Sequence, residues 1–221
     1  MLLNNFYASL CGDLKSYILK INYSYKELTL VLRKENMLDF FKILKNKYFF
    51  TQLIDITGVD YLHYGVDEWS SQKATSEGFS RGIRKDMLSR MKQYNNEPRF
   101  AVVYHLLNLS RNLRLRLKIF FEDNSNLTMH SLTDIWSVSE WYEREAFDMF
   151  GFIFLGNPDL RRILTDYGFS GYPLRKDFPQ SGNVSIRYSE EERRIVYENV
   201  EIDPRVNIPK VIRKDNRYKD C

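Results

Sequence analysis

Cysteine is almost missing from this sequence. Its 221 residues hold only two, Cys11 and Cys221, with no CxxC and no Cys/His cluster. The pattern supplies no ligand set for an iron–sulfur cluster or a structural zinc. It reads instead as two free thiols in a reducing compartment, with a single disulfide between them as the alternative. Histidine is equally sparse. His63, His105 and His130 are scattered, HExxH is absent, and no nucleophile, base and orienter stand out together. There is no GxGxxG and no P-loop, which removes the usual dinucleotide and phosphate cradles. No run of about 18 uncharged apolar residues occurs, so no helix that spans a membrane is expected. The first residues carry neither a basic-then-apolar signal nor an Arg/Ser-rich leader, so the chain is expected to start where it is made, or to have lost its leader. Alanine occurs only at Ala8, Ala74, Ala101 and Ala146, while Tyr and Phe number 15 each. Asn, Lys and Ile are abundant too, and all these favoured residues have AT-rich codons. The bias points to an AT-rich genome such as an organelle's.

What is present is an ordinary globular composition. Hydrophobic residues make up 43% and charged ones 28%, enough for one core. The net charge of +4 arises from 33 cations and 29 anions. That is a mixed surface rather than a polyanion binder's.

Periodicity predicts a helix over 9–22, with Leu10, Leu14, Tyr17, Ile18 and Ile21 near one face. It predicts a strand at ELTLVL (27–32) and a second helix from Asn36 to about Lys47. Another strand begins in 50–62 and turns at Gly58. The stretch 63–98 is polar and Ser/Gly-rich at first, has a short helix at 83–93, and reads as a surface insertion. RFAVVYHLLNL (99–109) and NLRLRLKIFF (112–121) are the clearest strands. The second alternates Leu and Ile with Arg114, Arg116 and Lys118, and the short link makes the pair a hairpin. The basic row is read as a solvated or partner-covered sheet face. A helix over 137–151 has a capping box at Ser137 and Glu140 and a stop at Gly151. Residues 184–188 and 193–198 suggest a charged hairpin, and an extended tail runs from Asp203. The expected organisation is an α+β body over 1–150, interrupted by the insertion, and an extended arm over 151–221.

Catalysis finds little support. Glu143 and Glu145 stand about 200° apart around a helix, so they cannot share a cleft. Arg144 and Asp148, four apart, are expected to pair as a helix-surface contact. A nucleic-acid grip would use the arm's cations and aromatics, but Asp159, Asp166, Asp177 and Glu190–Glu192 interrupt it. The segment DLRRILTDYGFSGYPLRKDFPQSG (159–182) fits a protein-binding strap better. Leu160, Ile163, Leu164, Phe169 and Phe178 would supply apolar contact. Asp159, Arg161, Arg162, Asp166, Arg175, Lys176 and Asp177 would set register and specificity.

EREAFDMFGFIFLGNPDLRRILTDYGFSGYPLRKDFPQSG (143–182) resembles the signature of one subunit family of respiratory complex I. The family is that of NADH dehydrogenase subunit 9, also called the C or 30-kilodalton-class subunit. The likeness continues through VSIRYSEEERRIVYENVE and, upstream, QLIDITGVDY, RFAVVYHLLNL and NLRLRLKIFF. It implies a two-layer α+β body with a mixed, largely antiparallel sheet packed against helices, and a long C-terminal arm. That arm would lie along the hydrogenase-related subunit 7, or D subunit. The resemblance further implies a non-redox structural and assembly role in the quinone module of the peripheral arm. Partner subunits would carry electrons from NADH to ubiquinone. No cofactor, metal or catalytic residue is expected in this chain; flavin and iron–sulfur clusters would belong to partners. No nucleic acid and no direct membrane span are expected. The alternative is the equivalent subunit of a plastid or cyanobacterial ferredoxin-dependent complex. The AT-rich bias suggests a mitochondrially encoded chain on the matrix side of the inner membrane, with a bacterial membrane face as the alternative.

The sequence departs from the family in four places. GHP is usual where this chain has Gly156-Asn157-Pro158, and again where it has Gly171-Tyr172-Pro173. The stretch 63–98 is longer than usual, and the tail beyond Asp203 diverges. Both are expected to meet lineage-specific subunits.

Overall fold

The computed structural model describes residues 2–25, 27–62, 64, 69–71, 98–200 and 211–213. The short helix expected at 83–93, most of the 63–98 insertion and nearly all of the tail beyond Asp203 lie outside the described residues. So does Cys221, while Cys11 is a free thiol.

The chain groups into two compact units. The first comprises Met1–Asp60 and Pro98–Phe178, the second Tyr61–Glu97 and Pro179–Cys221. The division proposed from the sequence, at residue 150, falls inside the first unit.

The first unit is built on five strands. These are β1 (Ile18–Ser24), β2 (Glu27–Leu32), β3 (Gln52–Asp60), β5 (Phe100–Asn108) and β6 (Leu113–Phe120). They lie in the order β1-β2-β6-β5-β3. Only β2 and β6 run parallel; the other neighbours are antiparallel. The sheet is therefore mixed and largely antiparallel, as the resemblance implies. Helices α1 (Leu2–Asp13), α2 (Met37–Asn46) and α3 (Ser139–Phe150) accompany it. Register sets the core. Ile56 lies opposite Tyr104, Tyr104 opposite Leu117, and Leu117 opposite Leu30. Their side chains share one face because neighbouring residues in register point the same way. Phe41 of α2 meets Tyr104 edge-on at 4.9 Å, and Phe40, Phe41 and Leu44 are fully buried. A short parallel pair, β7 (Thr128–His130) and β8 (Ile153–Leu155), completes this unit.

Three expectations fail here for identifiable reasons. The helix over 9–22 is two elements: α1 ends at Asp13 and β1 begins at Ile18. A bulge between Ile18 and Lys20 shifts the register, after which Ile21 and Tyr23 alternate with polar residues, and Ser24 pairs with Glu27. A two-residue connection thus folds β1 onto the strong strand β2 as a hairpin. The turn at Gly58 does not occur, and β3 runs through it. Glycine is needed because a Cβ there would sit 2.8 Å from Phe150 Cε2 and 2.7 Å from Phe152 Cε2. The capping box at Ser137 and Glu140 does not form. Val138 is the N-cap and makes no side-chain cap bond. A run of backbone turns from Leu132 to Ser139 leads into the helix, and the Ser137 carbonyl accepts from the Glu140 N–H. Gly151 does end α3, in the left-handed conformation at φ 78°.

In the second unit, β4 (Trp69–Ser71) pairs in parallel with β11 (Val211–Arg213). β9 (Val184–Ser189) and β10 (Arg194–Asn199) form the expected hairpin. Ile186 lies opposite Tyr197, and Tyr188 opposite Ile195. All four are exposed, so one face of this ribbon is an uncovered apolar strip.

Candidate docking site

Helix α3 organises the segment singled out in the sequence. It carries two fully buried carboxylates, Glu143 and Asp148. Asp148 Oδ2 accepts the backbone N–H groups of Ile163 at 3.0 Å, Leu164 at 2.8 Å and Thr165 at 2.9 Å. Asp148 Oδ1 accepts from Arg162 Nη1 at 2.8 Å and from the Thr165 hydroxyl. Burial pushes the Asp148 carboxyl up, but the Thr165, Arg162 and Leu164 donors outweigh it and hold it well below its ordinary value. The aspartate is thus a charged core for a loop that has no regular backbone pairing of its own.

Glu143 does the same for a different segment. It accepts from the Leu132 N–H and the Ser131 hydroxyl, both at 2.7 Å, and from Asn157 Nδ2 at 2.9 Å. Burial dominates here and raises its pKa despite those donors. Asn157 also accepts the Asp159 N–H through Oδ1.

Arg144 does not pair with Asp148 as the i, i+4 spacing suggests. It donates to the carbonyls of Arg161 at 2.7 Å and Arg162 at 2.9 Å, and lies 3.6 Å from Asp159. Asp148 is taken by Arg162 because its side chain is turned under the 162–165 loop.

Further on, the Leu174 N–H donates to the Met149 carbonyl, and Arg175 Nε to the Phe150 carbonyl at 2.6 Å. The Arg175 guanidinium sits 4.4 Å from the centre of the Tyr172 ring, in cation–π contact. A second buried aspartate closes the end. Asp60 holds Arg99 by two bonds, at 2.9 and 2.7 Å, and accepts the Lys176 N–H at 2.8 Å. Arg99 also pairs with Asp177 at 2.9 Å. The hydrogen bond to Asp60 comes first among the causes that raise the Arg99 pKa.

The residues singled out in the sequence therefore separate by chemistry. Arg162, Arg175 and Asp177 bond to the chain's own body. Asp159 binds Arg161 locally, and Lys176 is anchored by its backbone with its side chain exposed. Asp166 is exposed and accepts the Tyr167 N–H. Leu160 packs against the core, and Phe169 and Phe178 meet with ring centres 5.7 Å apart. Ile163, Leu164, Tyr167 and Leu174 point outward; Leu164 is 64% exposed and Tyr167 82%. Sequence reasoning missed Asp148, Asp60, Arg99 and Asn157 as anchors. Trp141, also on α3, is exposed with Arg144 over its ring.

The two buried α3 carboxylates, Glu143 and Asp148, face no open cleft and spend their lone pairs on fixed donors. His105 is half-buried on β5, where burial and then Arg116 lower its pKa. Among the described residues no group of three or more His, Cys, Asp and Glu could hold a metal ion. No helix among them is long and apolar enough to cross a membrane.

The family described as "Respiratory-chain NADH dehydrogenase, 30 Kd subunit" matches residues 30–184. The chain belongs to this family. It is 48% identical over 210 residues to the C subunit of the NADH-quinone oxidoreductase of Legionella pneumophila strain Corby, covering 94% of this chain and 91% of that one. The protein of the same name from Hydrogenovibrio crunogenus is 52% identical over 190 residues, covering 86% and 85%. Among solved structures, a chain of a membrane-bound archaeal respiratory complex, the sulfane sulfur reductase, superposes with a TM-score of 0.54. It is 22% identical and covers 79% of this chain and 84% of that one, a likeness of fold.

Proposed function

We propose that this chain is a non-redox structural and assembly subunit in the quinone module of a proton-pumping NADH:quinone oxidoreductase. Its segment 159–178 would be a preformed docking surface for the hydrogenase-related D subunit. One observation carries the reading. The segment's cations and buried aspartates fasten it to its own body, while Ile163, Leu164, Tyr167 and Leu174 are turned outward. A loop held by that many internal bonds loses little conformational entropy on docking, so its apolar side chains are free to contribute affinity. Membership of the family and the similarity to bacterial NADH-quinone oxidoreductase chains support the same role. Electron transfer to quinone, with its flavin and iron–sulfur clusters, is assigned to partner chains. Both of those relatives are bacterial, which favours the cytoplasmic face of a bacterial membrane over the mitochondrial matrix side.

The test is the double variant Leu164→Ser/Tyr167→Ser. Each side chain is worth roughly 1.5–3 kcal/mol if fully buried by the partner. Assembled complex on native gels should fall, with the thermal midpoint of the free chain and the turnover per assembled complex unchanged. Full assembly with lost turnover would show that the segment acts in the chemistry, and the docking reading would fail.

A further inference from the structure

β1 lies at one edge of the five-stranded sheet and pairs only with β2 among the described residues. It is a seven-residue strand in which every residue from Leu19 to Tyr23 is exposed. The core rows of the sheet run out into it. The row Ile56–Tyr104–Leu117–Leu30 ends at Ile21, and the row Leu53–Leu106–Leu115–Leu28 ends at Tyr23. The first four members of each row are buried, whereas Ile21 is 51% exposed. The hydrophobic face is therefore not finished at the edge of the chain's own sheet.

The usual protections of an edge strand are thin here. Natural edges are shortened, bulged, or armed with Pro and inward charges. β1 has one bulge between Ile18 and Lys20, a single lysine, and no proline. The hairpin tip adds a further sign. Tyr25 is 86% exposed and held at φ 53°, a left-handed conformation that is unfavourable for an aromatic residue. Its ring is displayed rather than packed.

We propose that β1 is a strand-addition site, at which an extended segment of a neighbouring subunit of the assembly adds as a sixth strand. The chemistry of the edge defines that segment. Its backbone satisfies the unpaired N–H and C=O groups of β1. Its alternate side chains are apolar, so that they continue the two rows beyond Ile21 and Tyr23. The intervening positions are polar, with an acidic residue opposite Lys20, the strand's one charge. Tyr25 covers the end of the added strand. The proposal rests on reading the chain as a subunit of a larger assembly, and it names a surface separate from segment 159–178.

The experiment uses the purified respiratory complex with a photo-cross-linking amino acid placed singly at positions 19 to 23. Cross-linked residues are then located by mass spectrometry. Support is a set of links to one stretch of another subunit, with positions 21 and 23, beyond the bulge, reaching residues spaced two apart. Links confined to this chain, links to a second copy of it, or links without that spacing overturn the proposal. Hydrogen exchange gives the second readout. Amides of residues 18–24 should exchange at least tenfold more slowly in the complex than in the free chain. Equal exchange in both overturns the proposal, while the presence of the chain in an active complex would leave the subunit reading intact. A chain absent from the complex overturns both. Ile21→Lys should leave the thermal midpoint of the free chain unchanged and lower the yield of assembled complex several-fold. Undiminished yield with this variant also counts against strand addition.

Discussion

Asp148 and Arg162 meet at 2.8 Å across 14 residues of chain. The aspartate is fully buried and the arginine 17% exposed. Removing one partner of such a pair strands the other, at a cost on the order of 3–5 kcal/mol. Arg162→Ala should therefore destabilise the free chain and open the 162–170 loop. This differs from a purely intermolecular role for Arg162, in which the free chain would be unaffected. Chemical denaturation and the rate of limited proteolysis within 162–170 measure it. The double variant Asp148→Ala/Arg162→Ala should cost much less than the sum of the two single changes, because the pair acts as a unit.

The two buried carboxylates of α3 should give opposite pH profiles. Asp148 is held below its ordinary 3.8. Its stabilisation is complete above that value and is lost as pH falls through the depressed folded pKa. The stability gap between the wild type and Asp148→Asn should hold steady from pH 7 to about 4, then narrow with further acidification. Glu143 is raised above its ordinary 4.5. Its charged form carries a burial cost at neutral pH, which disappears as pH falls through the raised folded pKa. Glu143→Gln should therefore compare best with the wild type at neutral pH and lose that advantage toward pH 4.5. Thermal midpoints measured across this range decide both signs.

Gly58 and Gly151 are fixed by what surrounds them. Gly58→Val would drive a side chain into Phe150 and Phe152, where overpacking costs typically about 1–3 kcal/mol or more. At Gly151 a Cβ would lie 2.7 Å from Arg175 Nη2 and from Tyr172 Cζ, and φ is 78°. Gly151→Ala should therefore lower the thermal midpoint and, unlike Gly58→Val, loosen the 171–176 segment as read by hydrogen exchange.

These contacts explain what could be read from the sequence. Strands β2, β5 and β6 announce themselves because alternation such as Leu113, Leu115, Leu117 and Ile119 against Arg114, Arg116 and Lys118 is local. α2 and the stop at Gly151 are local too. β1 was hidden because Ile18 and Ile21 also fit a helical spacing, and only pairing with β2 decides between the two. Gly58 looked like a turn because its rings arrive from residues 150 and 152. The segment 159–178 was legible as mixed apolar and charged, but not which side chains faced inward. That depends on Asp60 and Asp148, whose partners lie far along the chain and whose own neighbours in sequence suggest ordinary surface positions.

Asn157 offers a test of what a histidine would do in this setting. Its Nδ2 donates to Glu143 at 2.9 Å, and its Oδ1 accepts the Asp159 N–H at 2.9 Å. In Asn157→His, an imidazole N–H can replace the first bond. The buried Glu143 carboxylate would then favour the imidazolium and raise the histidine pKa above about 6.5. A histidine raised in this way stabilises the fold fully below its unfolded value and loses that contribution as pH rises through the folded value. The imidazolium should at the same time lower the Glu143 pKa. Stability of Asn157→His should therefore decline as pH rises from about 6.5 through the raised folded value, where the wild-type Asn157 has nothing to titrate. The NMR shift of the new imidazole, followed against pH beside the thermal midpoint, measures both quantities. A histidine that titrates at or below its unfolded value would mean that burial at this site outweighs the charge of Glu143.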